Sequence, residues 1–127
     1  MRTLFILFIL ISFNLQANIC DTNNYKQFDF WVGQWQVYNP DGNLVGTNSI
    51  TKEYHGCVLH ERYQNEKGFS GESLNIFDRT RGIWHQTWVD NTGTLLLLEG
   101  KLIDNKMVLK GKSKNATGED IWHRITW

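Results

Sequence analysis

Neither sign of charge is in excess in this chain: 13 lysines and arginines stand against 13 aspartates and glutamates. That balance gives no electrostatic ground for nucleic acid or an anionic membrane as partner. Long apolar runs are scarce. The only one, 4–13 (LFILFILISF), is about half of the ~20 residues that a spanning helix needs. Arg2 precedes it, and Leu15-Gln16-Ala17 offers a small residue for cleavage. The segment 1–17 therefore reads as a secretory signal peptide, with an uncleaved anchor as the competing reading. A lipid anchor fits worse, because Asn18 and Ile19 rather than small residues precede Cys20. The expected location is secreted or periplasmic, with no stable membrane insertion after cleavage.

Several chemical signatures are also missing. No glycine-rich loop leads into a helix to cradle phosphate. The histidines His55, His60, His85 and His123 fall in no metal-ligand spacing. His60-Glu61-Arg62-Tyr63-Gln64 opens like a zinc-protease helix, but Gln64 stands in place of the second histidine and the segment reads as a strand. Gly68-Phe69-Ser70-Gly71 is one residue short of a nucleophile elbow. No cofactor, metal site or catalytic residue is assigned from these patterns. Only two cysteines are present, Cys20 and Cys57. In an exported chain they can form a disulfide, which in the chain-entropy model contributes roughly 4 kcal/mol. Two separately buried thiols are the alternative.

What is plentiful is aromatic side chain, with six tryptophans, seven phenylalanines and four tyrosines. Such residues bury large areas each and suit the core of one small domain, 18–127. Residues 18–33 read as an N-terminal arm with a short helical turn. After Gly33 the pattern alternates with period two, and no helical period of useful length follows. Strands are expected at 34–39, 44–55, 57–66, 72–78, 83–90, 94–102, 106–112 and 119–127. Turn signals separate them, the clearest being Pro40-Asp41-Gly42-Asn43. The expected fold is all-β: an antiparallel up-and-down meander forming a calycin-like barrel, incomplete at its C-terminus. Alternation runs to Trp127, which leaves an open last edge. A truncated gene product or a partner strand, as in a homodimer, accounts for it.

The candidate site comes from strand faces. Trp84, Gln86 and Trp88 share one face, and Glu61 and Tyr63 share another. If both point inward, Glu61 and Gln86 are polar groups among rings, and a buried carboxylate needs a partner. Arg124, on a face with Trp122, is the expected partner. Asn75 and Ser73 join the cluster if their face, rather than that of Leu74 and Ile76, points inward. Such a cluster in an apolar hollow is the pattern of a ligand site; a satisfied network that fixes strand register is the plainer alternative. The lysines Lys101, Lys106, Lys110, Lys112 and Lys114 read as a solubilising outer face. Asn115-Ala116-Thr117 fits a glycosylation sequon, relevant only in a eukaryotic secretory pathway.

The stretches Phe28-Asp29-Phe30-Trp31-Val32-Gly33-Gln34-Trp35, Asn39-Pro40-Asp41-Gly42, Gly56-Cys57-Val58-Leu59, Ser73-Leu74-Asn75 and Trp84-His85-Gln86-Thr87-Trp88-Val89-Asp90 resemble the DUF1579 family of exported bacterial proteins. The resemblance covers nearly the whole mature chain. It implies a calycin-type barrel, similar in outline to fatty-acid-binding proteins, lipocalins and nitrobindin, with a cup for a small apolar ligand. The family pattern continues past Arg124-Ile125-Thr126-Trp127, whereas this sequence ends there. No histidine matches the C-terminal haem ligand of nitrobindin-like proteins. The leading expectation is a binding protein, with Tyr63, Trp84 and Trp88 as walls and Glu61, Asn75, Gln86 and Arg124 orienting a polar end. The alternatives are a haem-binding or enzymatic barrel using Glu61 as acid or base, and an interaction protein that associates through its last strand.

Overall fold

A computed structural model describes residues 18–127. The signal-peptide reading of 1–17 lies outside the described residues. Eight strands follow one another in a single antiparallel sheet, in sequence order from β1 to β8. They are β1 (Gly33–Tyr38), β2 (Leu44–Glu53), β3 (Val58–Gln64), β4 (Ser70–Asp78), β5 (Ile83–Asp90), β6 (Leu95–Ile103), β7 (Lys106–Lys114) and β8 (Asp120–Thr126). The all-β meander is as expected, and strand positions shift by only a few residues. The barrel does not close: β1 pairs only with β2, and β8 only with β7.

The connections follow local chemistry. Asp104 and Asn105 both take left-handed backbone (φ 48° and 60°) and turn β6 into β7 in two residues, as a tight hairpin of right-twisted strands requires. Asn39, Asn65 and Asn115 each cap the turn that follows, accepting backbone N–H groups on their side-chain oxygens. The corner between β2 and β3 is a short 3-10 turn, Tyr54–Gly56. Cys57 follows it and is disulfide-bonded to Cys20, with the two Cα atoms 5.0 Å apart. The side-chain amide of Asn18 donates to the His55 carbonyl beside this link.

The arm carries a one-turn helix, α1 (Asn23–Lys26), and a 3-10 turn, Asp29–Trp31. It packs across the inner face at the end where the β2–β3, β4–β5 and β6–β7 turns lie. Phe28 is its centre: its ring stacks on Trp31 and meets Trp84 and Trp127 edge-on at 5.5 and 5.3 Å. Tyr25 meets Phe77 in the same way. Lys52 reaches from β2 to the carboxylate of Asp29, and Trp84 donates its indole N–H to Gln27. These contacts seal one end of a trough. Among the described residues, no helix is long and apolar enough to cross a membrane.

Candidate functional site

Register decides which side chains share the inner face. Ile50, Glu61 and Ser73 lie opposite one another across β2, β3 and β4, and Trp88 and Leu96 continue that rung on β5 and β6. One rung nearer the arm run Leu59, Asn75, Gln86 and Leu98; one rung further away run Trp35, Asn48, Tyr63 and Gly71. Five polar side chains are thus buried together: Asn48, Glu61, Ser73, Asn75 and Gln86. Leu74 and Ile76, alternating with Ser73 and Asn75, are exposed on the outer face. That settles which face of β4 points in.

Hydrogen bonds converge on the Glu61 carboxylate. Asn48 donates its amide to Oε1 at 2.6 Å, and the Ser73 hydroxyl donates to Oε2 at 2.5 Å. Ser73 in turn accepts from Asn75 at 2.8 Å and from Gln86 at 3.2 Å. Gln86 also donates to Asn75 Oδ1, and Asn75 to the Leu59 carbonyl. The donors form a relay aimed at one anion. All of them are neutral. Burial pushes the Glu61 carboxyl above its ordinary value, and the bonds from Ser73 and Asn48 offset this only in part. Asn48, 9% exposed, keeps Oδ1 buried with no hydrogen-bond partner among the described residues. A buried amide oxygen in that condition is uncommon and costs on the order of 1–3 kcal/mol.

The residues expected at a site separate into three groups. Glu61, Asn75 and Gln86 come together, and Ser73 and Asn48 complete the cluster. Asn48 was not singled out in the sequence, because both faces of β2 carry small polar residues. Tyr63 and Trp88 lie on the same face, but each ring folds down over a glycine. A methyl added at Gly46 would overlap the Tyr63 ring, and one at Gly71 would overlap the Trp88 indole. Tyr63 donates its hydroxyl to the Val45 carbonyl, and Trp88 its N–H to Asp90. Trp84 is sealed beneath the arm, 1% exposed, and is part of the plug rather than a wall.

Arg124 corrects the expected pairing. On β8 it lies opposite Lys110 of β7, on the outer face and exposed. The inner face of β8 carries Ile121, His123 and Ile125, because Ile125 lies opposite Leu109. Glu61 therefore has no cationic partner among the described residues, and the one lysine on the inner face of β2, Lys52, is bound to Asp29. His60 and His85 pair with outer-face carboxylates. His123 accepts or donates a 2.7 Å bond with Ser113. No group of three or more histidine, cysteine or acidic side chains among the described residues is placed to hold a metal ion.

Apolar inner-face surface remains uncovered away from the plug. Trp35 on β1 is 45% exposed, and Ile121 and Ile125 on β8 are also exposed, on the two strands that flank the opening. A cleft of about 870 Å³ lies at the far end, between the β1–β2 hairpin and the β3–β4 turn, lined by residues that include Asn43, Gly46 and Lys67. Two smaller clefts border Arg62 and Gln64 on the outer side. None of these three is lined by Glu61, Ser73, Asn75 or Gln86. Comparison with protein-family models, curated proteins and solved structures returns no match.

Proposed function

We propose that this is an exported binding protein for a small, mainly apolar ligand, held on the concave face between the aromatic plug and the far rim. The observation that carries the reading is the buried Glu61 carboxylate, ringed by neutral donors and next to an unanswered amide oxygen. A network present only to fix strand register gains nothing from an unpaired acceptor, whereas a site awaiting a polar ligand head does. The disulfide and the apolar leader support export. The likeness to the exported DUF1579 proteins, with their cup-shaped interior, belongs to the same proposal.

Native mass spectrometry of protein purified from its own host tests it. A reproducible small-molecule adduct that disappears in Glu61→Leu and Gln86→Leu supports the reading. Empty protein, with both variants as stable as the wild type, overturns it.

A second reading, strand addition through an edge, is favoured by the unpaired outer edges of β1 and β8. It requires dimers at micromolar concentration, and light scattering from a strict monomer removes it.

A further inference from the structure

We propose that the ligand head held at Glu61 is an organic cation, most simply a protonated amine on an apolar body. This rests on the binding reading above and narrows it to one chemical class. Two groups on the concave face are incompletely answered: the Glu61 carboxylate lacks a countercharge, and the Asn48 amide oxygen lacks a donor among the described residues. The Glu61 carboxylate is 8% exposed and makes both of its hydrogen bonds to neutral groups. Asn48, one rung further from the arm, has no partner for Oδ1 among the described residues. A head group suited to both must supply several N–H donors, carry a positive charge and bring no acceptor of its own. An ammonium does this; a carboxylate or phosphate does the reverse.

The described residues do not supply that cation. Lys52 is held by Asp29, and Arg124 is on the outer face. Leaving a buried carboxylate without a countercharge is costly, and a ligand that brings one recovers the cost on binding. The surroundings suit the remainder of such a molecule. Trp88 lies on the same rung as Glu61 and Tyr63 on the next, and both rings are only half-buried, so they offer aromatic surface beside the carboxylate to a cation or an alkyl chain. The fully saturated donors of Asn75 and Gln86 close the site on the plug side, so a head group meets Glu61 from the Asn48 side.

Three probes with the same chain separate the possibilities: octylamine, octan-1-ol and octanoate, titrated into the purified protein near neutral pH by calorimetry and tryptophan fluorescence. Octylamine is expected to bind on the order of tenfold more tightly than octan-1-ol, the size of one charge-assisted hydrogen bond. Octanoate is expected to bind least. In Glu61→Gln, checked for native circular dichroism, the amine preference falls to the level of the alcohol. Glu72→Gln, on the outer face, keeps it. Equal binding of all three probes, or a preference for octanoate, overturns the amine assignment and leaves the apolar-ligand reading standing. Binding of none overturns both. Because the wild-type comparison needs no variant, a folding defect in Glu61→Gln does not blunt the test.

Discussion

Trp127, just past β8, lies 5.2 Å ring to ring from Trp31 of the arm, and Trp31 accepts the indole N–H of Trp35 from β1 on its carbonyl. One arm residue therefore touches both edge strands of a sheet that does not close. The eight-strand trough is drawn together by a plug where a closed barrel would use a ladder of backbone bonds.

This joint is expected to carry a measurable coupling. Trp31→Ala should cost about 3–5 kcal/mol, as buried tryptophan truncations do. Trp127→Ala, at a half-buried position, should cost less. In the double variant the two losses should fall short of additivity by about 1 kcal/mol, read from urea denaturation. Strict additivity would mean that the rings touch without holding the edges together.

Glu61 sets the alkaline side of the stability profile. Its carboxyl is raised in the folded protein, so its favourable contribution is complete below the unfolded value of 4.5 and is lost as pH rises through the folded value. Glu53 works in the opposite sense. Bonds from Thr51, His60 and Arg62 hold its carboxyl down to about 2, so its contribution is present above 4.5 and is lost as pH falls towards 2. Glu61→Gln should therefore melt above the wild type at pH about 8 and converge with it at pH about 4. A melting difference that does not change with pH would sink the assignment.

The ring-over-glycine contacts predict an unusual ranking. Gly46→Ala and Gly71→Ala each place a methyl inside a packed aromatic ring, and each should cost about 1–3 kcal/mol. Gly71→Ala should also change the tryptophan emission, because Trp88 must lift away. Gly111→Ala meets backbone rather than a ring and leaves Trp88 undisturbed. If Gly71→Ala leaves the emission unchanged, the indole does not cover that glycine.

Strand order and most boundaries were legible because alternation and turn chemistry are local. Ile83–Asp90 is a strand where the period of two required one, and Asp104-Asn105 turns where that pair was read as a turn. The facing of β8 was not legible. Isoleucine and tryptophan occupy one face, and tryptophan, arginine and threonine the other, so the strand alone did not say which looks inward. The pairing of Ile125 with Leu109 decided it, and with it the loss of Arg124 from the site. Tyr63 and Trp88 were placed on the correct face, but their collapse onto Gly46 and Gly71 depends on neighbouring strands, which a period of two does not encode. Asn48 was hidden for a related reason: with Gly46 and Ile50 on its side and Thr47 and Ser49 on the other, β2 announces no apolar face. Closure depended on whether the last strand reaches the first, a long-range property of the curl.

The bond from Cys20 to Cys57 ties the stopper to the corner of the vessel, at the margin of its closed end. A stopper leashed in this way stays beside that corner even when its noncovalent contacts loosen, and reducing agents would leave it held by those contacts alone.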